Sequence, residues 1–335
     1  MYLILGFVII LVCCSIFVNG WTDAPNAIAT VVSTRVLSPR AAIILGAVFN
    51  LLGVLLMGSA VATTTASIVT IGTGKEALVT LAAAQLSIII WAVSAWRYGI
   101  PTSESHALIA GLMGAGISLN GLNAFNWDSF KKVLIGLAIS SIVGFGAGIL
   151  ATKLVEFLFK NVRRSTANKF FSRGQILSAA MMAFSHGAQD GQKFMGVLCL
   201  ALVVGGVYQL DPSGNIDIPI WIMLLCSLLM ALGTSIGGFR IIKTMGMDMV
   251  RLQKYQGFAA ELVASGSMIA ATVFGIPLST TNTKGTAMMG AGASKGINKV
   301  NWDVAKEMII AWILTFPACT VLGYVFATIF RMIFT

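Results

Sequence analysis

Apolar residues fill this chain in long unbroken blocks rather than at the three-and-four spacing of a surface helix, and short polar motifs stand between the blocks. A segment that is apolar on every side belongs in lipid or in a large core. One of about 18 residues or more reaches across a bilayer. The blocks predict helical segments over 2–19, 24–37, 41–61, 77–97, 101–119 and 131–156, and again over 174–186, 191–210, 217–238, 257–274, 278–295 and 306–331. Gly, Ala, Leu and Ile dominate them, and strict alternation is weak, which speaks against an outer-membrane barrel. The pattern predicts an all-α polytopic membrane protein with about 10–12 membrane segments.

The two halves repeat each other. Tyr98-Gly-Ile-Pro-Thr-Ser-Glu-Ser-His106, running on to Met113-Gly-Ala-Gly116, returns 176 residues later as Phe274-Gly-Ile-Pro-Leu-Ser-Thr-Thr-Asn282 and Met289-Gly-Ala-Gly292. Residues 83–116 and 259–292 agree at 12 of 34 positions. Each copy is a break, a proline, a run of hydroxyls and a small-residue helix. Proline suits the first turn of a helix. The free N–H groups of that turn and the helix dipole favour an anion. Two such ends in two halves of one membrane protein suggest an anion site at the repeat interface.

A second pair, Asn19-Gly-Trp-Thr-Asp23-Ala-Pro-Asn26 and His186-Gly-Ala-Gln-Asp190-Gly-Gln-Lys193, recurs at an offset of 167 and shares Gly20/Gly187 and Asp23/Asp190. A carboxylate at the bilayer centre costs about 2.5–3.5 kcal/mol on insertion scales and marks a pathway or site. Glycine permits an unwound backbone there, whose freed carbonyls and N–H groups become ligands. Gln85 and Glu261 are repeat-equivalent, and Glu261 in an apolar helix must be paired or face a cavity. Lys193 and Lys284 either line the site or snorkel to an interface. His106 reads equally well as a packed side chain and as a site residue.

The division predicted is an N-terminal repeat over 1–157, a basic linker over 158–173 and a C-terminal repeat over 174–335. Inverted repeats must each cross an odd number of times, so one segment pair per half must form a broken or re-entrant span. The first two segments of each half are the candidates. The positive-inside rule then places the linker, Arg35, Arg40, Arg97, Arg240, Lys243, Arg251 and Lys254 in the cytoplasm, and leaves 62–74, the Asp211–Asp217 loop and both termini outside. Residues 240–254 read as an amphipathic helix on the inner surface. Trp127-Asp128 and Trp302-Asp303 each precede the last span of a half and read as interfacial anchors.

Composition narrows the function. The chain is 57% hydrophobic and only 10% charged, against about 25% charged in soluble domains. Its net charge of +10 fits positive-inside topology better than nucleic-acid binding, since no basic run carries interleaved aromatics. Cys13, Cys14, Cys199, Cys226 and Cys319 lie in apolar runs without C-x-x-C spacing and read as packed side chains. Residues 1–18 have the length of a signal peptide without its basic start or cleavage site, and read as the first span. A phosphotransferase would need a nucleophile with an adjacent base or a metal cage. Two histidines and no acidic loop cluster supply neither, so no enzyme is expected. An anion channel would need a continuous pore and would have no use for paired carboxylates.

These motifs resemble the inorganic phosphate transporter (PiT) family, which carries a duplicated Gly-Ala-Asn-Asp-type signature and a duplicated Gly-Ile-Pro-x-Ser-x-Thr-His-type signature. His186-Gly-Ala-Gln-Asp-Gly-Gln-Lys-Phe-Met-Gly196, Gly275-Ile-Pro-Leu-Ser-Thr-Thr-Asn282 and Gly233-Thr-Ser-Ile-Gly-Gly-Phe-Arg-Ile-Ile-Lys-Thr-Met-Gly246 are similar to it, and the likeness spans nearly the whole chain. Thr22 and Gln189 stand where asparagine is common, Glu104 interrupts a stretch of small or hydroxyl residues, and Asn282 replaces a histidine.

The resemblance implies a multi-pass carrier of the cytoplasmic membrane, built of two inverted-topology repeats with broken or re-entrant helices. It would perform sodium-coupled symport of inorganic phosphate, with no organic cofactor and sodium the only metal. Ser103, Ser105, Ser279, Thr280 and Thr281 would bind phosphate, with Gln189 and Asn282 adding donors. Asp23, Asn26 and Asp190 would bind sodium, since hard cations take oxygen ligands. Thr22, Glu104, His106, Lys193 and Glu261 are additional candidates. The expected partners are phosphate, sodium, the lipid bilayer and, as one option, a second copy of the chain. The alternative is a proton-coupled phosphate or sulfate permease of the same family.

Overall fold

The computed structural model describes residues 1–67, 73–124, 127–209 and 218–334. Among them the chain forms α1 (Tyr2–Thr22), α2 (Pro25–Ser33), α3 (Pro39–Leu56), α4 (Ala60–Ala66), α5 (Lys75–Tyr98), α6 (Glu104–Asn120), α7 (Trp127–Phe159), α8 (Arg164–His186), α9 (Gln192–Val204), α10 (Ile220–Ile236), α11 (Phe239–Lys243), α12 (Lys254–Val273), α13 (Thr280–Ala293) and α14 (Trp302–Phe334). Among the described residues, β pairing is confined to the isolated bridge between Val250 and Val300. The Asp211–Asp217 loop, and residues 68–72 of the predicted external stretch 62–74, lie outside the described residues.

The outward surface shows why this is a membrane fold. Ile135, Ile139, Ile142, Leu150 and Leu154 of α7 are exposed, as are Trp221, Leu224 and Leu228 of α10 and Ile313, Leu314 and Val321 of α14. Polar side chains are turned inward instead: Asp23, Glu104, Asp190, Lys193, Glu261 and Lys284 are all buried. Among the described residues, six helical stretches are long and apolar enough to cross a membrane, and α10 with the helix that follows it, to Met249, makes a bent pair at 66°. The chain is a multi-pass membrane protein.

Elements α1–α7 correspond in order to α8–α14, and the two sets exchange partners. Helix α1 packs on α10 and α8 on α3; α4 on α9 and α11 on α2; α6 on α14 and α13 on α7. Reciprocal exchange is what a two-fold relation between repeats produces. The fold consists of two inverted-topology repeats. Close approach depends on the duplicated glycine. A Cβ on Gly20 would collide with the Met230 carbonyl of α10, and one on Gly187 with the Asn50 carbonyl of α3.

The core has two apolar clusters. One gathers Val8, Val12, Ile16, Leu78, Leu81, Leu112 and Phe194. The other gathers Ile28, Val31, Met182, Met245, Met288 and Met308. Helix α1 lies in the first and α2 in the second; α8 lies in the second and α9 in the first. Both polar motifs therefore fall where the chain passes from one cluster to the other.

Four sequence expectations are corrected. The Asp23 and Asp190 motifs are not unwound. Asp23 and Ala24 keep right-handed helical angles, their N–H groups both donating to the Asn19 carbonyl at 2.9 and 3.2 Å, and Tyr2–Ser33 forms one span. In the second copy Gly187–Gly191 is a single π turn that joins α8 to α9. Such bulges re-aim side chains while keeping the backbone bonded, which lipid surroundings demand. Segment 41–61 stops at Leu56, where Gly58 at φ +75° turns the chain into the separate α4. The linker is helical from Arg164, because nothing between Arg164 and Arg173 breaks a helix until α8 is under way. Residues 240–254 are not one helix: α11 continues as a π turn to Met249, then Val250 turns extended to bridge Val300.

Candidate functional site

Both Gly-Ile-Pro motifs build the same turn. Helix α5 is closed by Gly99 (φ +72°) and α12 ends two residues before Gly275 (φ +64°), left-handed positions that glycine adopts without strain. The chain then runs extended to Ser103 and Ser279, whose side chains cap α6 and α13 by accepting from the His106 N–H at 3.2 Å and the Asn282 N–H at 3.1 Å. The two caps meet: Ser279 Oγ donates to Ser103 Oγ at 2.7 Å. These residues are repeat-equivalent, so the two helix N-termini converge on the pseudo-two-fold axis. Ser279 Oγ also lies 2.9 Å from Asn282 Oδ1.

The carboxylates lie beside this junction. Asp23 Oδ1 accepts from Thr281 Oγ1 at 2.5 Å and from Asn26 Nδ2; its Oδ2 accepts from Thr280 Oγ1 at 3.1 Å. Thr280 Oγ1 also lies 3.2 Å from Asp190 Oδ2, bridging the two acids. Asp190 Oδ2 accepts from Asn19 Nδ2 at 3.1 Å and lies 3.5 Å from His186 Nε2, while Asp190 Oδ1 holds Lys193 Nζ at 2.6 Å. Lys193 further donates to Ser105 Oγ at 2.6 Å and to the Leu278 carbonyl at 2.5 Å. Thr281 Oγ1 reaches the Thr102 carbonyl at 3.0 Å and Asn26 Nδ2 reaches Thr281 Oγ1 at 3.0 Å. Asp23, Asn26, Asp190, Lys193, Ser103, Ser105, Ser279, Thr280, Thr281 and Asn282 are thus brought into one buried cluster.

Other candidates land elsewhere. Gln189 braces the second turn: its amide nitrogen faces Thr272 Oγ1 (2.9 Å), the Ile276 carbonyl (3.2 Å) and the Met268 carbonyl (3.3 Å), and its oxygen accepts from the Leu278 N–H (3.1 Å). These contacts tie Gln189 to α12 and to the extended stretch before Ser279. His106 stacks on Phe316 with centroids 4.8 Å apart, and its ring nitrogens have no hydrogen-bond partner among the described residues. Thr22 and Glu104 bond to each other at the edge of the cluster.

Glu261 has the partner the sequence did not reveal. Lys284 Nζ lies 3.6 Å from its carboxylate, Ser178 Oγ donates at 2.5 Å, and Thr30 completes the set, bonded to Glu261 and 3.1 Å from Lys284 Nζ. Lys284 is fully buried and does not snorkel. Lys284 lies four residues beyond Thr280 and Thr30 four beyond Asn26, so this pair sits one helical turn along from the Asp23 cluster.

Asn19 and His186 were also missed as site residues. Their signal was present: both stand four residues before the duplicated aspartate, the spacing that shares a helix face. Asp23, His186 and Asp190 together offer ligand atoms within 4.8 Å of one another. Asn26 Oδ1 and Asn19 Oδ1 are buried acceptors without a donor among the described residues. Carboxylates, hydroxyls and orphaned amide oxygens form a donor set that suits a hard cation.

Comparison with known proteins agrees with this geometry. The model of the phosphate transporter family matches residues 19–323. A probable low-affinity inorganic phosphate transporter of Bacillus subtilis (strain 168) is 39% identical, over all of both chains. One from Rhizobium meliloti (strain 1021) is 36% identical over 92% of this chain and 90% of its own. A solved structure described as the sodium-dependent phosphate transporter superposes with a TM-score of 0.90 at 22% identity, covering 98% of this chain and 99% of that one, which establishes the shared fold. The chain belongs to the phosphate transporter family.

Proposed function

We propose that this carrier imports inorganic phosphate together with sodium, and that the mobile cation binds at Asp23. The observation that carries this reading is the pairing of the two aspartates. Asp190 has a lysine ammonium at 2.6 Å. Asp23 is held by Thr280, Thr281 and Asn26, none of them charged.

Coupling follows from hydroxyl chemistry. A hydroxyl has one proton to donate and two lone pairs. The acceptors within reach of the Thr280 and Thr281 hydroxyls are the two aspartates and the Thr102 carbonyl, which take up their single protons, so these hydroxyls cannot also donate to phosphate. Sodium at Asp23 would take the lone pairs of these hydroxyls and of Asn26 Oδ1, freeing the protons for an anion beside the capped ends of α6 and α13. Ser103, Ser105, Ser279 and Lys193 are the further donors on that side. Without sodium, a phosphate of charge −1 or −2 would meet an unbalanced carboxylate, and two helix N-termini supply only about half a charge each. By linkage, sodium and phosphate tighten each other equally. The cytoplasmic membrane is the proposed location, with the linker 158–173 inside and both termini outside. A cysteine at Ser165 in a cysteine-free background should then label in intact cells only after permeabilisation.

The deciding experiment is radiolabelled phosphate uptake into proteoliposomes with sodium and proton gradients imposed separately. An inward sodium gradient should drive accumulation. Uptake driven by the proton gradient alone would replace sodium with a proton in this reading.

A further inference from the structure

The two Gly-Ile-Pro turns are fastened in the same way, by side chains outside the central cluster. Thr64 Oγ1 of α4 donates to the Gly275 carbonyl at 2.8 Å. Thr244 Oγ1, in the π turn that continues α11, donates to the Gly99 carbonyl at 2.8 Å. Gly99 and Gly275 are repeat-equivalent, and Thr244 follows Thr64 by 180 residues. The neighbours correspond as well. A Cβ on Gly275 would lie 3.2 Å from the Ala60 carbonyl oxygen, and one on Gly99 would lie 3.7 Å from the Arg240 Cβ. Arg240 again follows Ala60 by 180 residues. Each contact joins one repeat to the turn of the other. A fortuitous contact has no reason to recur at equivalent residues of both halves.

Both hydroxyls have a second acceptor. Thr64 Oγ1 lies 3.2 Å from the Ala60 carbonyl, and Thr244 Oγ1 lies 3.1 Å from the Arg240 carbonyl, each four residues back in its own helix. A hydroxyl has one proton to give, and the glycine carbonyl is the nearer acceptor in both copies. If the turn moves away, the proton returns to the carbonyl four residues back. Breaking the contact therefore orphans no donor, and the bond can open and re-form at low cost. Gly99 and Gly275 lie four residues before Ser103 and Ser279, the caps that meet at the axis. Each threonine thus holds the outer end of a stretch whose inner end caps a site helix. Because the repeats are inverted, the two contacts lie at opposite faces of the membrane.

The two copies differ in reinforcement. Arg240 also donates to the Arg97 carbonyl and lies over the Trp96 ring at 5.1 Å. Trp96 stacks at 4.3 Å on Trp21, two residues before Asp23. Ala60 has no side chain to do the same, and the contact at Thr64 borders a cavity of about 540 Å³ lined by Met57, Ser59, Thr63, Thr272 and Phe274.

We infer that Thr64 and Thr244 are positioning residues for transport. Each latches the Gly-Ile-Pro turn of the opposite repeat over the central cluster, and the carrier opens to one face by releasing one latch while the other holds. Under the orientation proposed above, on which the sidedness rests, Thr244 closes the cytoplasmic face and Thr64 the outer one.

The test is accessibility from each side. A single cysteine replaces Thr102 or Leu278, repeat-equivalent buried residues just behind the latches, in a cysteine-free background. A membrane-impermeant maleimide is applied, without phosphate, to right-side-out and to inside-out vesicles. Each latch variant is compared with the protein carrying the same probe cysteine and an intact latch. Losing one hydrogen bond should raise the labelling rate about 2- to 10-fold. Thr244→Val should do so at position 102 in inside-out vesicles, and Thr64→Val at position 278 in right-side-out vesicles. Thr244→Ser and Thr64→Ser, which keep the hydroxyl, should label as slowly as the intact latch. If the two valine variants exchange sides while each still exposes its own probe position, the latches stand and the orientation is reversed. Unchanged labelling in both valine variants overturns the proposal. So does an equal rise at both probe positions, which is general loosening, and so do serine variants that label as fast as the valine ones, which would make the contact one of shape.

Discussion

The two aspartates of this protein occupy equivalent positions and live in different electrostatic surroundings. At i+3 from Asp23 stands Asn26; at i+3 from Asp190 stands Lys193. Four residues before Asp23 stands Asn19, and four before Asp190 stands His186. The backbone differs less: a two-residue interruption with Pro25 after it in the first repeat, a single π turn in the second. The repeat has kept the carboxylate at a helix interruption and has changed the partner. One copy has a cation built into the chain. The other has hydroxyls and an amide, which on the proposed reading are the ligands of a mobile cation.

The same contrast recurs one helical turn away. Glu261 is paired with Lys284, while at the equivalent positions stand Gln85 and Leu108, and the Gln85 amide has no partner among the described residues. Among the described residues, the two buried lysine–carboxylate pairs both lie within the second repeat, while most buried polar atoms without a partner lie in the first. A carrier made of two halves does not need two identical sites; it needs one charge that stays and one that exchanges.

The comparison can be broken most forcefully at Asp23. Asp23→Asn removes the one carboxylate proposed to face a mobile cation, together with charge-assisted bonds worth about 1.5–3 kcal/mol each. Sodium-driven phosphate uptake should fall by about 100-fold or more, with the protein still folded by size-exclusion and melting analysis. At Asp190 the effect should be on stability first. Lys193→Gln leaves a buried carboxylate unpaired, a loss of about 3–5 kcal/mol, read as a lowered melting temperature in detergent. Adding Asp190→Asn should restore most of it, since the double variant buries no charge. If the double variant melts as low as the single one, Lys193 acts through Ser105 and the Leu278 carbonyl rather than through Asp190.

The Glu261–Lys284 pair sharpens the point. Lys284→Met should destabilise by a similar amount, about 3–5 kcal/mol, and Glu261→Gln in the same chain should recover it. Recovery of melting without recovery of uptake would show that the pair also takes part in movement. The smallest effect belongs at the axis. Ser103→Ala and Ser279→Ala each remove an N-cap, worth about 1 kcal/mol. The double substitution should cost less than the sum, because the two caps share the 2.7 Å hydrogen bond. Strict additivity in the double-mutant cycle would mean that this contact carries nothing.

Much of this was legible in the sequence. The apolar blocks at 77–97 and 131–156 became α5 and α7 with a few residues added at each end, because no proline interrupts them and the glycines of the second, such as Gly144 and Gly148, are used for close approach to α13. The duplicated Gly-Ile-Pro-x-Ser motif announced both capped helix starts, since proline, left-handed glycine and a serine cap are local signals. Three things were not legible. Local backbone geometry at Asp23 and Asp190 was one, because glycine permits unwinding without requiring it. The partner of Glu261 was another: Lys284 is distant in sequence and lies on a different helix. The division of labour among hydroxyls was the third. Thr280 and Thr281 look like anion donors in the motif, and only the packing of α13 against the α1–α2 bend shows that they face carboxylates.

The account stands or falls on which aspartate meets the mobile cation. The direct measurement is the sodium dependence of phosphate affinity, titrated at fixed pH and ionic strength, in Asp23→Asn and in the paired Asp190→Asn/Lys193→Gln variant. The account predicts that Asp23→Asn flattens the dependence, lowering its log–log slope by one relative to the parent, while the paired variant keeps the parent's slope. A full slope in Asp23→Asn together with a reduced one in the paired variant would place the exchangeable cation at Asp190 and contradict it.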